Sequence, residues 1–174
     1  MKSNIFFLLI LGFVCSLTVY SQTNDPVNAP FVGTWNYQNG NQIFQLIIWE
    51  DPEPDLNDGS YCLRGHYKMI DLSSGNPTVI YKSDSDAPVG LKWPSAFIGH
   101  VFSGNIFGAT FHEIHSGSSF LYGDLSIRLL DVCPTCPAKI SFNLVKEKGI
   151  RFYDVGEPII SDFVVPNNIE LTKQ

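Results

Sequence analysis

The stretch Ser119-Phe120-Leu121-Tyr122-Gly123-Asp124-Leu125-Ser126-Ile127-Arg128-Leu129-Leu130 decides how the rest of the chain is read. Leu121, Gly123, Leu125, Ile127 and Leu129 fall on one face, and Asp124, Ser126 and Arg128 on the other. A repeat of two belongs to a strand with one dry and one wet side, because successive side chains on a strand point to opposite faces. Ala138–Lys146 repeats the pattern, setting Ala138, Ile140, Phe142 and Leu144 against Lys139, Ser141 and Asn143. Thr110, His112 and Ile114 alternate with Phe111 and Glu113 in a weaker version. No window carries a helical repeat.

Turn chemistry divides these runs. Asn39-Gly40 is a two-residue hairpin signal of the type I′ kind, joining Gly33–Gln38 to Asn41–Glu50. Asp51–Gly59, with prolines at 52 and 54, is a loop before Ser60–Asp71. Ser73-Ser74-Gly75-Asn76-Pro77 turns the chain into Thr78–Ser83, and a longer loop, Asp84–Pro94, precedes Ser95–Ser103 and Asn105–His115. Cys133–Pro137 separates the two clearest strands, and Pro158 and Pro166 bracket a final pair ending in Ile169-Glu170-Leu171. Roughly nine or ten short strands follow, mostly in sequential hairpins with no room for crossover helices. The expected fold is all-β: an antiparallel up-and-down barrel, with a β-sandwich as the alternative. Closure hides the edge strands most completely.

Composition agrees. The chain has 174 residues, 13% of them aromatic and 16% charged, which excludes a disordered chain and a coiled coil. A net charge of −6 leaves too few cations for a nucleic-acid partner, whose affinity comes from neutralised phosphates.

The amino terminus reads as a signal peptide spanning residues 1–21. Lys2 supplies the basic start, Ile5–Val14 the apolar run, and Val19 and Ser21 the small positions before a cleavage at Gln22. The run is shorter than the ~20 apolar residues of a spanning helix. A lipoprotein signal would acylate Cys15, but Val14 stands where a small residue is wanted. The expected product is a single β-barrel domain, 22–174, secreted or periplasmic, with no transmembrane segment. It carries no N-glycosylation sequon, since Pro77 spoils Asn76-Pro77-Thr78.

Cys62, Cys133 and Cys136 survive processing. In an oxidising compartment three cysteines allow one bridge and one thiol. Pro134 presets a tight turn, and such a turn brings its end Cα atoms within ~7 Å, overlapping what a disulfide spans. Cys133–Cys136 is therefore the expected pair, with Cys62 bridged to either of them as the alternative. Thiol exchange at Cys133 and Cys136 lacks the helix that normally follows the first cysteine, and a zinc site of cysteine with His66 would be short of ligands. His112-Glu113-Ile114-His115 has the wrong spacing for a zinc protease and points its histidines to opposite faces. Asp55-Leu56-Asn57-Asp58-Gly59 reads as a solvated turn, lacking the glutamate that closes a calcium loop. Cys62, Arg64, His66 and Lys68 share one face of their strand, opposite Tyr61, Leu63, Tyr67 and Met69, and form a small basic patch. No catalytic order, phosphate loop or dinucleotide fingerprint occurs, so neither an enzyme, a cofactor nor a metal is expected.

Gly33-Thr34-Trp35 opens the first strand. This Gly-x-Trp resembles the start of the lipocalin-like proteins, in which the tryptophan closes one end of the barrel. The signal peptide, Phe31–Gln45 and the ending Val165–Lys173 are similar to a secreted family of the Bacteroidetes type to which no activity is attached. The chain departs from the lipocalins in having no mid-chain Thr-Asp-Tyr and no helix after the last long strands. The late arginine that covers the tryptophan has no assignable counterpart, Arg128 and Arg151 being the possibilities. The resemblance implies a non-catalytic carrier of a small apolar molecule, lined by Trp35, Tyr37, Phe44, Tyr67, Phe111 and Phe142. The rival is a filled barrel whose loops contact another exported protein; a thiol-disulfide protein using Cys133 and Cys136 comes third. Intact-mass analysis of material from a secreting host is expected to give a chain beginning at Gln22, and a mass retaining Met1–Ser21 would refute export.

Overall fold

The computed structural model describes residues 25–56, 58–83, 95–114, 120–131, 133–147 and 162–174. Their strands are β1 (Gly33–Asn39), β2 (Gln42–Glu50), β3 (Leu63–Asp71), β4 (Thr78–Lys82), β5 (Phe97–Ser103), β6 (Ile106–Ile114), β7 (Phe120–Leu130), β8 (Lys139–Lys146) and β9 (Ile169–Lys173). Every pairing is antiparallel. Eight of the strands close into an up-and-down barrel in the order β1-β2-β3-β5-β6-β7-β8-β9, with β9 returning to β1. The ninth, β4, branches from β3: Lys68–Asp71 pair with β4, whereas Leu63–Gly65 pair with β5. The alternative of two packed sheets does not occur. Among the described residues no helix is long and apolar enough to cross a membrane.

Strand alternation sorts the chain as expected. Phe44, Leu46 and Ile48 of β2, Phe107 and Phe111 of β6, Leu125 and Ile127 of β7 and Ile140, Phe142 and Leu144 of β8 all face inward and are buried. Asp124, Ser126 and Arg128 of β7 face out and are exposed.

The first hairpin corrects one expectation. Asn39 pairs with Gln42, so the loop residues are Gly40 and Asn41, one position later than the sequence signal. Gly40 has φ +57°, and Asn168 is the only described non-glycine residue with positive φ. A glycine at the first loop position with a negative-φ residue after it is the pattern of a II′ turn, not of I′. The final pair is also revised. Residues 162–166 form no strand, and residues 148–161, like the expected loop at 84–94 and the amino-terminal residues 1–24 that include the expected signal peptide, lie outside the described residues.

One end of the barrel is sealed. Trp35 is completely buried and donates from Nε1 to the carbonyl of Phe31 at 2.8 Å. Residues 25–32 form the turn that carries Phe31 beneath the barrel. Asn28 fastens this turn, donating to Glu50 Oε2 and to the Tyr61 carbonyl, each at 2.9 Å. The cation over the indole is Lys173, with Nζ 5.1 Å from the ring centroid. Gly33 makes room for it, since a Cβ there would stand 2.9 Å from Lys173 Cε, and φ +135° suits glycine. Of the two arginines considered from sequence, Arg128 faces out from β7 and does not serve here, and Arg151 lies outside the described residues.

Cys133 and Cys136 are bridged, with Cα atoms 5.1 Å apart, and the Cys136 amide donates to the Cys133 carbonyl at 2.9 Å. Cys62 is free and buried. The turn thus made the bridge possible, as its Pro134 implied.

Removing the indole leaves a void that close packing cannot refill. Trp35→Ala is expected to destabilise the fold by about 3–5 kcal/mol, read as a lower urea midpoint at unchanged slope. A loss below about 1 kcal/mol would show that Trp35 does not close the barrel.

Candidate functional site

Two places in the described residues hold chemistry: the barrel interior and a cluster on its outer wall. Phe44, Tyr67, Phe111 and Phe142, expected from sequence to line the interior, do meet there. Phe44 packs edge-on to Phe142 with centroids 5.7 Å apart, Tyr67 stacks on Phe111 at 5.5 Å, and Phe111 reaches Phe142 at 6.4 Å. Offset and edge-on pairs of this kind gain from the ring quadrupoles beyond the area they bury. Trp35 is separate, at the sealed end. Tyr37 points inward at the other end and is only partly buried.

Burial of the aromatic rings differs between the two ends. The aromatic side chains of the sealed end, Phe31, Trp35 and Phe107, have no exposure. At the far end Tyr37, Met69, Tyr81 and Phe163 pack against the core while only partly buried. Polar groups also converge there. The Glu113 carboxylate, 2% exposed, accepts from the amides of Val164 at 3.1 and 3.0 Å and of Val165 at 3.1 Å. Tyr81 donates its hydroxyl to the Val164 carbonyl at 3.4 Å. Burial first, and the Glu113 charge second, push the Tyr81 phenol up to about 12, and the same causes raise Tyr67 further. Both stay protonated donors at any physiological pH.

On the outside, the sequence placed Cys62, Arg64, His66 and Lys68 on one face, and the fold agrees. Their partners come from other strands and loops. Arg64 is paired with Asp51, so its charge is largely spent within the protein. His66 meets Ser83 Oγ at 3.1 Å and packs its ring 5.1 Å from that of Trp49. Cys62 lies beside His100 of β5, with Sγ 3.4 Å from Nε2 and 4.0 Å from Nδ1. Ser60 Oγ stands 3.4 Å from His100 Nδ1. Ser60 also hydrogen-bonds Asp58, through both hydroxyl and amide, which holds that carboxyl below its ordinary range. Asp55 completes the group: its carboxylate, Cys62 Sγ and a His100 nitrogen all lie within 4.8 Å of one another. Burial, and then the Asp55 charge, push the Cys62 thiol up, so it is a poor nucleophile as it stands. Sequence reasoning set the thiol on one face with His66 and missed His100. The reason is that Leu63↔Gly99 is a long-range register that no local spacing reveals.

A groove of about 490 Å³ adjoins this cluster, lined by His100, Ile98, Phe102, Gly108, Thr110 and Asp124 among others. Phe102 is 76% exposed and lies across Gly108, where a Cβ would meet its ring at 2.4 Å.

Comparison of the chain with models of known families, with curated proteins and with solved structures gives no match. The functional reading therefore rests on the fold and on these side chains.

His112, outward on β6, carries a pH consequence. Its Nε2 is buried without a hydrogen-bond partner among the described residues. Burial first, then the nearby His66, holds the imidazole below its ordinary 6.5. The neutral ring suits the fold, so below pH 6.5 the unfolded chain takes up the proton first and stability falls with acidification. Urea midpoints measured at about pH 7.5 and about pH 5.5 should drop for the wild type and drop less for His112→Gln. Equal drops would remove His112 as a source.

Proposed function

We propose that this chain is an exported, non-catalytic, lipocalin-like barrel that takes a small apolar molecule at the end remote from Trp35. The observation that carries the reading is the asymmetry of the barrel. One end is closed by fully buried rings, and the other presents Tyr37, Met69, Tyr81 and Phe163 as partly buried apolar surface. Apolar concave walls with a few fixed polar groups are the usual form of a small-molecule site. Here the phenols of Tyr67 and Tyr81 and the amide-bound Glu113 supply the polar groups, and Phe44, Phe111 and Phe142 form a floor beneath. An eight-stranded barrel either fills with side chains or holds one small ligand. The ring stack occupies the middle of this one, which favours a compact ligand lying shallow over the aromatic floor. The Gly33-Thr34-Trp35 opening and the cation on the indole support the lipocalin-like likeness, with Lys173 standing where those proteins use an arginine.

An environment-sensitive apolar dye tests this. The dye is expected to bind the folded chain, with Tyr37→Ala and Met69→Lys each weakening it by about tenfold or more and Phe102→Ser leaving it unchanged. Loss in Phe102→Ser alone would move the site to the outer groove. No binding by the wild-type chain would leave the filled barrel that contacts another protein.

A further inference from the structure

We propose that Asp55, Cys62 and His100 form a binding site for a borderline-soft divalent metal ion of the Zn²⁺ class on the outer wall of the barrel. The site is separate from the barrel interior and does not depend on what the interior binds.

Four observations carry it. The donor set comes first. A thiol, an imidazole and a carboxylate are the three protein groups that bind Zn²⁺, whereas Ca²⁺ and Mg²⁺ take oxygen. Geometry comes second. Zinc bonds of about 2.3 Å to sulfur and about 2.0 Å to nitrogen, at a tetrahedral angle, set the two ligand atoms about 3.5 Å apart. Cys62 Sγ and His100 Nε2 stand 3.4 Å apart. The carboxylate of Asp55 lies within 4.8 Å of Cys62 Sγ and of a His100 nitrogen, so a short inward movement of its side chain completes three ligands. Its backbone is held ready for this: the Asp55 amide donates to the Ser60 carbonyl at 2.7 Å and its carbonyl accepts from Gly59 at 2.9 Å.

The third observation is the outer partner. Metal-binding imidazoles use their second nitrogen to donate, which fixes the ring and leaves the first nitrogen's lone pair for the ion. Ser60 Oγ is at 3.4 Å from His100 Nδ1, and Ser60 is in turn engaged by Asp58. The fourth is access and charge. His100 is half-buried and borders the open groove, so an ion and a fourth, exogenous ligand can reach it. Asp51, Asp55 and Asp58 surround the cluster, and Arg64, the cation beside it among the described residues, is taken by Asp51.

The three ligands come from two pieces of chain: Asp55 and Cys62 from the β2–β3 loop, the latter at its end, and His100 from β5. The ion would tie the loop to the barrel wall. It would also leave one tetrahedral position for water or for a small ligand lying in the groove.

Calorimetric titration of the untagged chain with Zn²⁺, and optical titration with Co²⁺, test the proposal. One equivalent of Zn²⁺ is expected to bind, and Co²⁺ to give thiolate-to-metal charge-transfer absorption in the near ultraviolet. Cys62→Ser and His100→Ala should each weaken Zn²⁺ binding by more than about 100-fold, and Ser60→Ala by about 10–100-fold. Ca²⁺ and Mg²⁺ should not compete for the site, because it offers one carboxylate beside a thiol and an imidazole. Should Cys62→Ser fail to fold, His100→Ala decides, since His100 is half-buried on the outer face and its loss should remove the Co²⁺ absorption. Absence of Zn²⁺ binding, or binding that survives both substitutions, would overturn the proposal.

Discussion

Strands β1 and β9 meet over only two register pairs, Trp35↔Lys173 and Asn36↔Thr172, and on that short seam the closure of the barrel depends. Ladder hydrogen bonds over so short a length give little hold, so side chains must supply the rest. The Trp35 indole does so from within, fully buried and anchored to Phe31, while the Lys173 ammonium lies over its face and reaches the Pro30 carbonyl at 3.3 Å. Burial lowers the Lys173 pKa from its usual value, a sign that its stem is drawn against apolar surface. A cation held over an aromatic face gains from the ring's quadrupole, and it gains more as water is removed. The residue on β9 thus contributes both a ladder pair and the lid on the plug.

Once the seam is closed, strand parity fixes where each kind of chemistry goes. On β3, Leu63, Gly65, Tyr67 and Met69 point in, and Arg64, His66 and Lys68 point out, with Cys62 continuing the outer series before the strand begins. On β6, Phe111 and Glu113 point in and Thr110 and His112 out. The interior consequently collects rings and phenols with two carboxylates, Glu50 and Glu113, whereas thiol, imidazoles and guanidinium collect outside. A slip of one residue in either strand would exchange the two sets. The continuous aromatic packing of Phe44, Phe111 and Phe142 opposes such a slip, since an exposed ring row would forfeit its burial.

Much of this was legible from alternation alone, because period two is local and strong: β7 and β8 were readable almost to the residue. The inward placement of Phe44, Tyr67, Phe111 and Phe142 followed from the same rule, and the Cys133–Cys136 bridge from the length of its turn. What escaped was whatever depends on register between distant strands. Lys173 covers Trp35 because β9 returns to β1, and nothing near residue 173 announces it. His100 meets Cys62 because Leu63 lies opposite Gly99. Glu113 was correctly set on the Phe111 side of its strand, but its partners, the amides of Val164 and Val165, lie across the barrel mouth. The hairpin at Gly40 was misplaced by one residue for a different reason. Asn39-Gly40 and Gly40-Asn41 both suit a two-residue turn, and only the pairing Asn39↔Gln42 chooses between them.

The β2–β3 loop joins the two halves of this division. At its start Glu50 turns inward to hold Asn28 and through it the plug, while the next residue, Asp51, turns outward to Arg64. At its end Cys62 turns outward to His100 and Leu63 inward to the core. The amide of Asp51 donates to the Cys62 carbonyl at 2.8 Å, so the two ends are clamped in register beyond the last ladder pair, Glu50↔Leu63. That clamp fixes the parity of the loop's two ends. Insertions between Asp51 and Ser60 leave both parities intact, whereas any shift at Glu50 or Cys62 would place a carboxylate or a thiol on the wrong side of the wall. The plug beneath the barrel and the side-chain cluster outside it are therefore set by the same backbone constraint, though they share no atoms.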